Sequence, residues 1–167
     1  MTTLRSENTG DIAVIAALTR AAFAKVPHSN GSESAIVDAL RAAGALTVSL
    51  VADVDGQLVG HVAISPVSIS DGSHGWYGLG PVSVLPAYQG RGIGTGLINQ
   101  ALAQLQAKGA AGCVVLGEPG YYQRFGFTKV PGLQLPGVPT HYFQARCFGS
   151  AMAQGTVAYH PGFAATG

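Results

Sequence analysis

Charged side chains are scarce in this chain. Aspartate, glutamate, lysine and arginine make up 10% of the 167 residues, whereas an average soluble domain has about 25%. The formal net charge of +1 leaves no basic surface, which excludes electrostatically driven nucleic-acid binding. An apolar content of 47% excludes a disordered chain. The length suits one domain, and no internal repeat or linker divides it, so we expect a single domain over residues 1–167.

Cysteine is scarce, and the sequence shows neither a leader segment nor a long apolar run. Cys113 and Cys147 form no Cys-x-x-Cys pair and each lies in an apolar run, so we expect two reduced, buried thiols in a cytoplasmic protein. The five histidines show no ligand spacing, so no metal is expected. The start of the chain has no apolar core of a signal peptide. The longest uncharged stretch, 147–167, is interrupted by glycine and proline, so no membrane span is expected.

Two common phosphate motifs are absent. No Gly-Lys-Ser/Thr tripeptide occurs, which excludes a Walker loop. The dinucleotide fingerprint needs a third glycine at relative position six. That position is Thr95 when counted from Gly90 and Leu97 when counted from Gly92, so a Rossmann site is not expected.

A third arrangement of phosphate-binding elements is present. An apolar segment ending at Val84 is followed by Pro86, a glycine-dense loop over 90–94 and a long amphipathic segment. A strand, a glycine loop and a helix N-terminus together form a pocket for an anion, because bare amides and the helix dipole both favour negative charge. The sequence therefore predicts a site for a phosphate or pyrophosphate. The alternative is a turn that serves only helix–strand packing.

Hydrophobic periodicity predicts the order of the elements. Two helices come first, the second followed by a meander of three strands with an Asp55-Gly56 hairpin turn. Pro81 in the third of these strands predicts a bulge or an unpaired edge. A helix, a short buried strand suited to parallel pairing, a short helix and further strands follow. The predicted helices are 12–23, 33–43, 95–108 and 119–125, and the predicted strands are 47–53, 58–67, 76–84, 112–116, 127–130, 142–148 and 156–159, with a stiff loop over 131–139.

The spacing Gln89-x-x-Gly92-x-Gly94 resembles the acyl-coenzyme A loop of the GNAT superfamily of N-acetyltransferases. The order of elements is also similar to that of the family over nearly the whole chain. The segment Tyr121-Tyr-Gln-Arg-Phe-Gly-Phe127 and the tail 155–163 are similar to a bacterial subgroup described as predicted N-acetyltransferases. The resemblance implies an α/β (α+β) GNAT fold, whose central, mixed, mostly antiparallel twisted sheet of about six to seven strands is flanked by about four helices.

The resemblance implies acetyl-coenzyme A (acetyl-CoA) as co-substrate. Loop amides would hold the pyrophosphate, Gln89 would fix the start of the loop, and the strand backbone would pair with pantetheine where it splays from the next parallel strand. Gly80 and Pro81 give a physical reason for that splaying. The expected cofactor-binding residues are Val82, Ser83, Val84, Gln89, Gly90, Arg91, Gly92, Ile93, Gly94, Thr95 and Tyr121.

Acetyl transfer to an amine also needs an acid and a base. Tyr122 occupies the family's tyrosine position and is expected to protonate the departing thiolate, while a backbone amide near Val84 polarises the carbonyl. Many family members carry a glutamate base on the strand equivalent to 76–84, but this strand has no acidic residue. Glu118 and Glu33 are the candidate bases, with Asp71 weaker, and a water chain is the alternative. His61 is expected to be structural.

The expected reaction is transfer of an acetyl group from acetyl-CoA to a primary amine of a small molecule or protein, by direct attack in a ternary complex. Loops 25–32 and 131–141 would shape the acceptor site, and a homodimer is a further expectation. The absence of an acid on strand 76–84 supports an alternative function, a non-catalytic module that binds or senses acyl-CoA.

Overall fold

A computed structural model describes residues 1–27, 29–149 and 151–166. These residues form eight strands and four α-helices. The strands are β1 (Thr2–Ser6), β2 (Val48–Val54), β3 (Gln57–Ile69), β4 (Trp76–Val84), β5 (Gly112–Leu116), β6 (Leu133–Gln134), β7 (Phe143–Cys147) and β8 (Gly155–Tyr159). The helices are α1 (Ile12–Phe23), α2 (Glu33–Ala42), α3 (Ile93–Ala107) and α4 (Pro119–Tyr122). His28, which belongs to the predicted break between the first two helices, lies outside the described residues.

The strands form one mixed sheet in the order β1-β2-β3-β4-β5-β7, and β8 pairs with the far end of β3 and with β6. The β4–β5 and β6–β8 pairs are parallel and the others are antiparallel. This confirms the predicted mixed, mostly antiparallel sheet with four helices. The Asp55-Gly56 turn is also present, with positive φ at both residues (51° and 90°), as a two-residue hairpin requires.

Helices cover both faces of the sheet. Helix α3 packs on one face and buries a stripe of apolar residues at helical spacing against β2, β3 and β4. The stripe consists of Ile93, Leu97, Ile98, Ala101, Leu102 and Leu105. Helices α1 and α2 cover the other face, where Ile15 and Val37 pack with Val51 and Leu58. Polar side chains on the face of the sheet opposite α3 are therefore covered by α1 and α2.

A bulge separates β4 from β5. Leu79 is the last residue of β4 that pairs with β5, opposite Val115. The pairing of β4 with β3 then shifts register, because Val82 lies opposite Val62 whereas Leu79 lies opposite Ile64. Gly80 and Pro81 lie opposite the single residue Ala63, so β4 has one extra residue in the bulge. Beyond it β4 follows β3 alone, and its other edge is open, so the predicted bulge and splaying are both observed.

Three sequence-based assignments were wrong. Strand β1 was not predicted, because its residues are exposed or only half-buried and so show no clear alternation. Residues 127–130 form no strand; Thr128 makes only an isolated bridge to Ala145. The loop over 131–139 contains the short strand β6, which β8 pairs in parallel. In each case the pairing partner lies far away in the sequence.

The structure also describes the two cysteines, the turn before α1 and the apolar lengths of the helices. Cys113 is free and buried, but Cys147 is free and only half-buried, so burial of both thiols was wrong. Asn8 caps the short 3-10 turn Thr9–Asp11 that leads into α1, and its side chain accepts from the Gly10 amide at 3.0 Å. Within the described residues, no helix is long and apolar enough to cross a membrane.

Candidate functional site

An open cleft of about 510 Å³ lies where β4 separates from β5. One wall is the free edge of β4, another is the loop leading into α3, and the third is α4. The residues lining this cleft are Val82, Val84, Tyr88, Gln89, Gly90, Gly92, Ile93, Gly94, Thr95, Tyr121, Tyr122 and Arg124.

The loop wall presents backbone donors. Gly90 and Gly92 have φ of 78° and 79°, values that favour glycine, and an added Cβ at either would meet open space. Gly92 is the N-cap of α3, and the Gly96 amide donates to its carbonyl at 3.0 Å. The amides before Gly96 therefore have no acceptor within the helix. These donors and the helix dipole favour a phosphate group at this end of the cleft.

The strand wall presents an unpaired β edge. The Leu85 amide donates to the Val59 carbonyl at 2.8 Å, which directs the Leu85 backbone toward β3. Because successive residues of a strand direct their backbone groups to opposite edges, the amide and carbonyl of Val84 point to the open side. Gln89 Nε2 donates to that Val84 carbonyl at 3.1 Å, so Gln89 ties the loop to the strand. The Val84 amide remains directed at the cleft.

The third wall is aromatic. Tyr121 and Tyr122 contact each other edge to face, with ring centroids 5.0 Å apart. The Tyr121 hydroxyl lies 3.5 Å from the position of a Cβ on Gly94, so α4 approaches the first turn of α3 closely. The Arg124 guanidinium lies over the Tyr121 ring at 4.6 Å and Nε donates to the Tyr121 carbonyl. Burial raises the pKa of Tyr122 to about 12, with a smaller contribution from Tyr121, so the phenol keeps its proton at neutral pH.

Most of the expected cofactor-binding residues line this cleft, but two do not. The side chain of Ser83 is buried on the opposite face, because it lies between Val82 and Val84 in an extended strand. Arg91 lines a neighbouring groove beside β1 and its guanidinium lies 5.0 Å over the Tyr88 ring. Tyr88 and Arg124 line the cleft and were missed. Arg124 was recognisable, because it follows Tyr121 at helical spacing.

The candidate bases lie away from the cleft. Glu118 is exposed at the start of α4. Glu33 is half-buried, accepts from Ser29 Oγ at 2.6 Å and lines a separate cavity of about 240 Å³ between α1 and α2. Asp71 accepts from the Gln154 and Ser73 amides, which lower its carboxyl pKa. No side chain in the described ranges forms a metal-binding cluster of His, Cys, Asp and Glu.

A buried polar cluster lies on the face covered by α1 and α2. Arg41 donates to both carboxylate oxygens of Glu7 at 2.9 Å, and the Ser49 hydroxyl donates to the same carboxylate. The imidazole Nε2 of His61 lies 2.8 Å from Ser49 Oγ. Burial lowers the pKa of His61 to about 4, against the opposing effect of Glu7 and with a further lowering by Arg41. His61 is therefore neutral at physiological pH. Sequence reasoning missed this cluster, whose members lie on separate elements.

The cleft can hold a phosphorylated ligand with a strand-like chain. The ligand's anionic end would meet the loop amides, and an extended polar chain would pair with the open edge of β4. A carbonyl near Val84 would be polarised by a fixed amide, with a protonated phenol from Tyr122 nearby.

Comparisons with known proteins agree with this geometry. Residues 46–129 match the family model described as an acetyltransferase (GNAT) domain. The Escherichia coli K12 protein named uncharacterized N-acetyltransferase YhbS is 35% identical, over 96% of this chain and 97% of its own length. Half of this chain also matches the E. coli protein named uncharacterized N-acetyltransferase YjhQ, at 34% identity.

Solved structures of similar proteins show the same fold. A GNAT family acetyltransferase from Brucella melitensis, crystallised in complex with acetyl-CoA, is 55% identical with a TM-score of 0.88 and 98% of each chain covered. The E. coli YhbS structure in complex with CoA is 34% identical with a TM-score of 0.88, covering 97% of this chain and 91% of YhbS. With its split sheet, its glycine loop before α3 and these relatives over almost its full length, the chain belongs to the GNAT family of acetyltransferases.

Proposed function

We propose that this acetyltransferase moves the acetyl group of acetyl-CoA to a primary amine by direct attack in a ternary complex. The observation that carries the proposal is the combination of the glycine-lined N-terminus of α3 with the open β4 edge in one cleft. The Brucella and E. coli relatives, crystallised with acetyl-CoA and CoA, support the choice of ligand.

The coenzyme would be bound mainly by backbone groups. We assign the diphosphate to the amides between Gly90 and Thr95 and the pantetheine to the edge formed by Val82 and Val84. Tyr121 and Arg124 cover the other side, and Arg124 adds a cation. The Ser83 backbone points to β3, opposite His61, so Ser83 would only hold Val82 and Val84 in position, and Arg91 would contact the coenzyme only where the ligand extends into the adjacent groove. The residues present therefore fit acetyl-CoA.

The transfer itself would use a fixed donor and a protonated phenol. The Val84 amide would stabilise the oxyanion that develops on the thioester carbonyl. Tyr122 would protonate the departing thiolate. Its raised pKa keeps the proton on the phenol at neutral pH until the thiolate forms. Glu118 and Glu33 remain candidate bases, although neither lines the cleft.

The amine would reach the thioester from the face opposite α3. The cavity between α1 and α2 that holds Ser29, Gly31 and Glu33, together with loop 131–141, would shape acceptor choice. The acceptor is a small-molecule amine or a protein amino group, and a homodimer would fit the family. The bacterial relatives support a reaction in the bacterial cytoplasm.

The test is release of free CoA from acetyl-CoA in the presence of an amine panel that includes ethylamine, spermine, amino acids and lysine peptides. Tyr122→Phe should lower kcat about 100-fold with acetyl-CoA affinity nearly unchanged. Tyr142→Phe, a half-buried tyrosine outside the cleft lining, is the matched control and should retain activity. Tight acetyl-CoA binding without transfer to any amine would favour the non-catalytic module. Full activity of Tyr122→Phe would contradict the role of the phenol.

A further inference from the structure

A second cavity, of about 240 Å³, lies between the end of α1 and the start of α2. It is smaller than the pockets of about 300–1,000 Å³ that hold drug-sized ligands, so it suits a small head group. No described residue lines both this cavity and the acetyl-CoA cleft. The cavity is therefore available to a second substrate while acetyl-CoA is bound.

The cavity lies on the side of the sheet where β4 has its open edge. The start of α1 is held at β1, because Arg5 donates to the Asp11 carboxylate at 2.7 Å. From there α1 crosses the sheet and contacts β3 and β4, which follow β1 and β2 in the strand order. The last turn of α1, with Phe23, is therefore directed toward the separation of β4 and β5. A ligand in the cavity can extend from this end of α1 toward the thioester.

One end of the cavity favours an anion. Ser32, the N-cap of α2, makes no side-chain capping bond, and the Ile36 amide donates to its carbonyl at 2.9 Å, so the amides before Ile36 have no acceptor within the helix. Ser34 lines the cavity and is only 7% exposed. Its hydroxyl takes part in none of the side-chain hydrogen bonds of the described residues. Arg20 adds a guanidinium to the same lining, and these donors together suit a carboxylate.

The same cavity presents an acceptor for a cation. Glu33 lines it, and the Glu33 carboxylate accepts from Ser29 Oγ at 2.6 Å. The ion pairs formed by residues 1–27, 29–149 and 151–166 include neither Arg20 nor Glu33. A cation and an anion that face one cavity without pairing leave room for a ligand that carries both charges. An α-amino acid has this character, with a carboxylate and an ammonium on one carbon.

We propose that the acceptor is a diamino acid whose α-amino acid head binds in this cavity and whose side-chain amine receives the acetyl group. Arg20, Ser34 and the first amides of α2 bind the carboxylate, and Glu33 binds the α-ammonium. Since Glu33 holds the α-amine outside the cleft, the amine at the end of the side chain is the one that reaches the thioester. The inference rests on the proposed acetyl transfer and names the class of its acceptor.

The transfer balances in atoms and charge. The side-chain ammonium first releases one proton to water. The nitrogen lone pair then forms the C–N bond, and the C–S bond breaks with its electrons on sulfur. Tyr122 protonates the thiolate and takes a proton from the new amide nitrogen. The products are free CoA, a diamino acid acetylated on its side chain, and one proton in solution.

The test uses three acceptors that end in the same amine: free lysine, cadaverine, which lacks the carboxylate, and aminocaproate, which lacks the α-ammonium. Wild type should have a kcat/KM about tenfold higher on lysine than on either analogue. Arg20→Gln should lose about tenfold on lysine and aminocaproate but stay within about twofold on cadaverine. Glu33→Gln should lose about tenfold on lysine and cadaverine but stay within about twofold on aminocaproate. Lys108→Gln, which removes an exposed cation at the end of α3, is the control and should match wild type on all three.

The identity of the product gives a second readout. Mass spectrometry should locate the acetyl group on the side-chain nitrogen of lysine. Diaminopropionate, whose two amines are on adjacent carbons, should not be acetylated, because its second amine does not reach the cleft.

Three results would overturn the proposal. An acetyl group on the α-nitrogen would do so, as would equal kcat/KM of wild type on lysine and cadaverine. Losses of equal size on all three acceptors would show that Arg20 acts only in folding, or that Glu33 acts as the base. If wild type transfers acetyl to no amine, the proposed function has failed, and titration calorimetry of lysine then tests the cavity alone. Saturable binding by wild type that Arg20→Gln abolishes would support the head-group site, and no binding by wild type would overturn it.

Discussion

The buried imidazole of His61 makes the stability of this protein depend on pH in a calculable way. In the folded chain the pKa of His61 is about 4, compared with 6.5 for an ordinary histidine. Between these two values the unfolded chain binds a proton that the folded chain does not bind. The His61 contribution to stability is therefore full above the unfolded pKa, and it falls as pH decreases toward 4.

The expected size follows from the two pKa values. Between about pH 7.5 and about pH 5, proton linkage at this single group should lower the free energy of unfolding by about 2 kcal/mol. Glu7 acts in the same direction, because its pKa is lowered by Arg41 and Ser49 against the effect of burial. Its contribution, however, is lost only below the ordinary carboxyl value of 4.5, so pH 5 isolates the histidine.

The assay is urea unfolding at both pH values for wild type and two variants. His61→Gln replaces the titrating ring by an amide that cannot titrate, and it should remove the loss of about 2 kcal/mol between the two pH values. The variant is less stable at pH 7.5, but the comparison concerns the difference between pH values. His141→Gln, at an exposed histidine, is the control and should keep the wild-type difference. A wild-type loss below about 0.5 kcal/mol, or an unchanged loss in His61→Gln, would refute the assignment of a buried neutral imidazole.

Two further predictions concern the elements that position the site. Gly60→Ala should destabilise the protein by about 1 kcal/mol and weaken acetyl-CoA binding, because the new Cβ would lie 2.9 Å from Leu97 Cδ1 and 3.1 Å from Ile93 Cγ2 at the start of α3; unchanged thermal unfolding and calorimetric affinity would contradict this. Asn8→Ala should cost about 1 kcal/mol in chemical unfolding without altering acetyl-CoA affinity, because it removes only the cap before α1, and a parallel loss of affinity would show that the two regions are coupled.

The sequence predicted the parts of the fold that are specified locally. The Asp55-Gly56 turn depends on residues that tolerate positive φ, and the bulge at Pro81 follows from a missing donor. Strand β1 and the short β6 escaped prediction because each depends on a distant pairing partner. The strand predicted over 127–130 does not form, because only Thr128 of this segment pairs with another residue.

The candidate site divides in the same way. The glycine loop could be predicted from spacing alone, because glycines, a helix start and a strand end are adjacent in the sequence. The direction in which the side chains of Ser83 and Arg91 point could not be predicted from spacing. It depends on strand alternation and on the turn before α3. The cluster of Glu7, Arg41, Ser49 and His61 joins three strands or their ends to one helix. No local pattern brings such residues together.

The central claim is that backbone donors before α3 bind the diphosphate of acetyl-CoA. Titration calorimetry of acetyl-CoA into wild type, Gly92→Ala and Gly72→Ala tests it most directly. Gly72 has a φ of 82° and open space around it but lies in the β3–β4 turn, so both substitutions should cost about 1–2 kcal/mol of stability. The account predicts saturable one-to-one binding by wild type and Gly72→Ala, and at least a tenfold weaker affinity for Gly92→Ala. No binding by wild type, or an equal loss of affinity in both variants, would contradict it.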